Sequence, residues 1–204
     1  MNALPIYLAF VRNSFLKMLA YRARYYTGIV TYFIFVSVYY FIWQAIYAGQ
    51  APGARINGFT LSEMITYVAV GWVARSFYYS NVDDDIDDLV RSGQISTFLI
   101  RPVEFQLMLF VQACGEALFR AVCFTLPISI PILLVFPVAP PAGPAALGWF
   151  CLSSLIGFFV FAALNFSIGI LAFYFQSIDG IMRAKYNLVQ LCSGLLLPLS
   201  FFPH

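Results

Sequence analysis

Apolar runs near the length of a bilayer crossing alternate with short polar breaks along this chain, which predicts an all-α, polytopic helical membrane protein with five spans. The first run, from about Gly28 to Tyr47, carries no charge. The second, Leu61 to Tyr79, holds Glu63 at one end and Arg75 near the other, where the arginine stem is expected to snorkel to the interface. The third, Phe105 to Phe136, is too long at about 1.5 Å per residue for the hydrocarbon alone. It should begin in water, tilt, and kink at Pro127 and Pro131. The fourth, Ala145 to Phe175, is uncharged, and the fifth runs from Asn187 to Phe202. The breaks are a turn-rich loop at Gly49–Gly58, the charge-free stretch Pro137–Pro144, and a polar loop, Gln176–Tyr186, with Asp179, Arg183 and Lys185.

Ahead of the first span, Leu4, Leu8, Val11, Phe15 and Met18 recur at spacings of four and three, with Arg12, Asn13, Lys17 and Arg24 mostly elsewhere. Residues 1–26 therefore read as an amphipathic helix lying in the headgroup plane, cations toward anionic lipid and Tyr21, Tyr25 and Tyr26 at the interface. They carry no pattern of a cleavable signal.

The most polar break, residues 81–104, contains five of the nine carboxylates ahead of Glu104, with Arg91 and Arg101. So polar a segment belongs in water. Ile86, Leu89 and Val90 fall at helical spacing, and Ile95, Phe98 and Leu99 repeat it beyond Ser92-Gly93, which predicts two short helical turns about a glycine hinge, stopped by Pro102. A short helix with an apolar stripe suits docking into a groove on a soluble partner.

Composition agrees: 62% of residues are hydrophobic, 19% aromatic and 10% charged. With the N-terminus cytoplasmic, nine of the eleven basic residues fall on the cytoplasmic side and Arg55 alone lies outside, so the positive-inside rule selects that orientation. Cys114, Cys123, Cys151 and Cys192 sit in apolar runs without a Cys-x-x-Cys partner and read as small buried hydrophobes. His204 is the only histidine, so neither a metal centre nor a cofactor is expected.

Ile86, Leu89, Ser92, Gly93, Ile95, Leu99, Ile100, Arg101 and Pro102 form the pattern I-x-x-L-x-x-S-G-x-I-x-x-x-L-I-R-P. With an N-terminal amphipathic helix and two spans before it, the chain resembles the permease subunits of type-2 ATP-binding-cassette exporters and is closely similar to their uncharacterised bacterial subgroup. The resemblance implies a single permease domain over residues 1–204 in a bacterial inner membrane, exporting an amphipathic or lipid-like solute. It makes residues 81–104 the coupling helix that contacts a separate ATPase, through Ile86, Leu89, Gly93, Ile95, Leu99, Arg101 and Pro102. Its implied partners are that ATPase, a second permease copy or a paralogue, and membrane lipid; no nucleic acid is expected. The chain carries no GxxxxGK[ST] phosphate loop, in keeping with a transport subunit that has no ATPase site or catalytic residues of its own. Family members have a further span and an outer re-entrant element, so a sequence ending in LLLPLSFFPH is expected to be truncated from six spans.

Three further groups carry chemistry. Glu116 and Arg120, four apart in the third span, should pair as an intramembrane brace, and Asn165 with Ser167 and Gly169 reads as glue between helices. Asp83-Asp84-x-x-Asp87 and Asp84-Asp85-x-x-Asp88 both fit DDxxD, the diphosphate-binding pattern of magnesium-dependent intramembrane prenyltransferases. That alternative needs a second acidic motif, for which Asp179 is the one candidate; in the plainer reading the aspartates cap a helix N-terminus.

Overall fold

The computed structural model describes residues 4–21, 23–51, 53–175, 177–195 and 197–202, apart from the side chain of residue 24. His204, Arg22 and the Arg24 side chain, which entered the sequence reading above, lie outside the described residues. The described chain is helical, with an isolated bridge between Ile56 and Phe59 in a loop.

After α1 (Leu4–Ala20), α2 (Ala23–Tyr47) makes the first pass along the bundle. The return pass, α3 (Leu61–Tyr78), starts at a capping box: the Thr60 amide donates to the Glu63 carboxylate at 2.8 Å, and the Glu63 amide donates to the Thr60 hydroxyl at 3.4 Å. The two passes are zipped by Trp72, whose ring meets those of Tyr32, Phe35 and Tyr39. α4 (Val82–Arg91) and α5 (Ile95–Leu99) then form the turn at that end.

The third pass is α6 (Phe105–Arg120), a π turn (Ala121–Thr125) and α7 (Leu126–Val135). Pro127 has no N–H to donate, and its ring would crowd the Cys123 carbonyl in a regular helix; the wide turn, closed by the Leu126 amide on the Ala121 carbonyl, lies immediately before it. The irregularity therefore precedes the first proline, while Pro131 is carried inside α7. α8 (Pro144–Gly169), extended by a 3-10 turn (Ile170–Phe173), comes back.

α9 (Asp179–Cys192) corrects the sequence reading twice. The predicted polar loop Gln176–Tyr186 is mostly its first two turns, and the predicted fifth span is not one continuous helix. Gly194, at φ +77°, ends it in the left-handed region, and the Tyr67 hydroxyl donates to the Gly194 carbonyl at 2.6 Å. Asp179 lies beside Arg91, Tyr186 against Arg75, and Phe201 against Trp43 and Phe59, so this last pass runs in the direction opposite to α3.

Of the five passes, three contain helices long and apolar enough to cross a membrane: Tyr25–Tyr47, Phe105–Val135 and Pro144–Phe173. α3 buries the polar groups near its end, Arg75 and Ser76. Arg75, expected at the interface, is 4% exposed and lies over the Trp72, Tyr79 and Tyr186 rings at 5.9, 5.0 and 5.2 Å. Cation–π contact does inside the bundle what snorkelling would have done outside it.

α1 packs along α6. It docks on α6 where Gly115 faces the Val11 carbonyl and Ser14, leaving no room for a side chain. Val11, Phe15 and Met18 pack inward with Ser14, while Leu4 and Leu8 of the expected stripe are exposed. The interior divides in two. One cluster joins α2, α3 and α7 around Met64, Trp72 and Ile128; the other joins α4, α6 and α8 around Ile86, Met108 and Phe158.

Candidate functional site

The turn end of the bundle gathers most of the polar residues, and α4 is its base. Val82, Asp83, Ile86 and Asp87 are buried on one helical face. Ile86 is 0% exposed and sits against Gly169 of α8, where even a methyl group would collide with it. Of the seven coupling residues predicted from sequence, Ile86 thus anchors the segment from inside and offers no surface.

Asp83 is held in the same layer by charge. The Lys185 ammonium of α9 donates to its carboxylate and, at 2.8 Å, to the Asn165 carbonyl oxygen; the Asn165 amide donates to the Ser80 carbonyl at 2.6 Å. Sequence reasoning missed this clasp, although it placed Asn165 as glue between helices. Arg91, itself exposed, adds ion pairs to buried Asp87 and exposed Asp179 at 3.3 and 3.4 Å. A signal was present: Asp83 and Asp87 share the face of Val82, Ile86 and Val90, which points two of the five aspartates inward.

Those pairings bear on the acidic motif. Asp83, Asp87 and Asp179 are engaged by cations, and among the described residues no three His, Cys, Asp or Glu side chains converge on a point that could hold a metal ion. Asp83, Asp84 and Asp85 do stand in the first turn of α4, where carboxylates favour the positive end of the helix, while the N-cap residue itself is Asn81, which makes no side-chain cap bond.

Beyond α4 the chain turns at Gly93, φ +72°, where a residue with a Cβ would be strained. The Ser92 hydroxyl donates to the Asp88 carbonyl at 2.7 Å and braces the turn. α5 then stands out from the bundle with no buried residue. Leu89 and Ile95 are half-buried, but Leu99 is 54% and Ile100 83% exposed, beside exposed Arg101 and Pro102. The Arg101 guanidinium lies 4.4 Å from the Phe98 ring centre, so cation and aromatic form one knuckle. A groove of about 630 Å³ separates this turn from α1 and α6, lined by Lys17, Leu89, Phe98 and Gln112 among others. Glu116 and Arg120 lie deeper, both buried, with 3.5 Å between carboxylate and guanidinium.

A comparison with family profiles supplies the context for this helix–glycine–helix turn. The profile described as ABC-2 family transporter protein matches residues 33–204. The chain belongs to the ABC-2 transporter family. It is therefore a multi-pass membrane permease of an ABC transporter, and the family implies partnership with an ABC ATPase subunit. Neither the curated proteins nor the solved structures returned a match. In this permease the turn after the second pass is an anchored base, α4, carrying an exposed apolar knuckle, α5. Replacing Gly93 by alanine is expected to strain that turn by about 1–2 kcal/mol, read as a lower unfolding midpoint in detergent, with Gly49→Ala, at a turn glycine outside the left-handed region and with open space for a methyl group, as the control.

Proposed function

We propose that α4 and α5 are the coupling element of an exporter, through which a separate ABC ATPase drives this permease. The observation that carries the reading is the knuckle itself: Leu99 and Ile100 expose apolar surface on a segment otherwise rich in charge. Of the seven residues predicted there, Leu99, Arg101 and Pro102 supply the contact, Leu89, Ile95 and Gly93 set its shape, and Ile86 seats it in the bundle. Closure of the ATPase pair presses on α5, and the clasp at Asp83 passes the load to α8 and α9. In this reading the N-terminus and the α4 end face the cytoplasm across a bacterial inner membrane, two permeases form the assembly, and the cargo is amphipathic.

The test is a Leu99→Asp/Ile100→Asp permease co-expressed with its ATPase. Because a charge would replace apolar anchors at a contact, ATPase retention on the affinity-tagged permease should fall about tenfold or more. Membrane insertion and the unfolding midpoint should stay unchanged, since both residues are exposed. Full retention of the ATPase would end this assignment.

A further inference from the structure

A cleft of about 640 Å³ lies among α1, the first turns of α2, the end of α3, α4, and the junction of α6 with the π turn. Its deep end is aromatic, with the Tyr25 and Tyr32 rings edge-on to Phe124 at 6.1 and 5.2 Å. Its opposite wall is α4, from which Asp84, Asp85 and Asp88 line it. Desolvation holds the Asp84 and Asp85 carboxyls above their ordinary range; neighbouring aspartates add to this at both, and Lys17 opposes it at Asp85.

Arg120 lines the same cleft and is 6% exposed. Its Nε and Nη2 have no hydrogen-bond partner, although the Glu116 carboxylate stands 3.5 Å from Nη2. Buried guanidinium nitrogens in folded proteins are almost always bonded to an acceptor, so this pair marks a place for an anionic oxygen. Among the described residues the walls carry two cations, Lys17 and Arg120, and four carboxylates, Asp84, Asp85, Asp88 and Glu116. A simple anion would meet an excess of carboxylates, and a simple cation would leave Arg120 Nε and Nη2 without a hydrogen-bond acceptor.

We infer that this cleft binds a zwitterionic phosphate–ammonium headgroup, its phosphate on Arg120 and Lys17 and its ammonium on the aspartates of α4. The aromatic floor suits the adjoining apolar part of such a molecule. The same headgroup chemistry occurs in a phospholipid and in a free phosphorylated amine. Binding here is independent of any ATPase, so its test stands apart from that of the coupling element.

Purified wild-type permease in detergent is titrated calorimetrically with dihexanoylphosphatidylethanolamine and with dihexanoylphosphatidylglycerol, which keeps the phosphate but lacks the ammonium. Saturable binding is expected for the first and at least about tenfold weaker binding for the second, the size of one lost charged contact. Asp88→Asn, on an exposed residue, should erase that preference, whereas Arg120→Met should weaken both lipids. Should Arg120→Met fail to fold, the Asp88→Asn result decides. Competition by free phosphoethanolamine at an equal dissociation constant assigns the site to a soluble amine, and its failure to compete assigns it to lipid; either result supports the headgroup chemistry. Absence of binding, equal affinity for the two lipids, or a preference untouched by Asp88→Asn overturns it.

Discussion

Lys185→Met is expected to destabilise this permease by about 3–5 kcal/mol, the usual cost of stranding one partner of a buried ion pair. Asp83 and Lys185 are both nearly enclosed, and no other cation pairs with Asp83 among the described residues. Removing the ammonium leaves a carboxylate in the layer where Ile86 meets Gly169, and takes a donor from the Asn165 carbonyl. The damage should be local to α9 first. That helix has no buried residue, so the clasp and the pair between Arg91 and Asp179 are its main ties at this end. Trypsin should then cut after Arg183 in the variant well before it cuts the wild-type protein. Lys185→Met combined with Asp83→Asn removes the stranded charge and should recover more than half of the lost stability. A double variant no more stable than Lys185→Met would show that the pair does not carry this load.

The second large effect is expected at Gly115. A Cβ there would fall on the Val11 carbonyl oxygen and 3.0 Å from the Ser14 Cβ, and a backbone oxygen cannot step aside as a side-chain tip can. Gly115→Ala should therefore push α1 off α6 and cost about 1–3 kcal/mol, the range for overpacking a close contact. Gly115→Leu should release α1 altogether. The measurement is tryptic cleavage at Arg12 and Lys17, both exposed on α1, together with the unfolding midpoint. Gly157→Ala, where a methyl group meets nothing within 4 Å, is the control and should behave as wild type. If Gly115→Leu also matches wild type, the close docking of α1 is wrong.

What could be read from the sequence was what local chemistry decides. The two helices either side of Ser92-Gly93 and the stop at Pro102 follow from spacing, a left-handed glycine and a ring without an N–H, all within about twenty residues. The long apolar runs were equally plain. What escaped depends on partners far along the chain. Asp179, Arg183 and Lys185 look like a water-facing loop until Lys185 finds Asp83 and Asp179 finds Arg91, about a hundred residues earlier. Their charges are satisfied by tertiary contact, so local polarity misled. Arg75 is an intermediate case. Trp72 and Tyr79, three before it and four after it, share its helical face and were visible, whereas Tyr186 was not. The docking of α1 hid for a different reason: its centre is Ser14 against Gly115, and small residues leave no hydrophobic signature.

Glu116, Arg120, Phe124, Ile128, Ile132 and Phe136 are all buried, a row repeating every fourth residue through the third pass. On an unbroken α-helix such a row precesses by about 40° at each step and would wind halfway round the cylinder over this length. The π turn at Ala121–Thr125 inserts roughly one residue, or about 100°, of counter-rotation in the middle of the row. It works as a vernier: a strict four-residue repeat stays aimed at the protein interior, ionic at one depth and aliphatic at the next, on a single uninterrupted backbone.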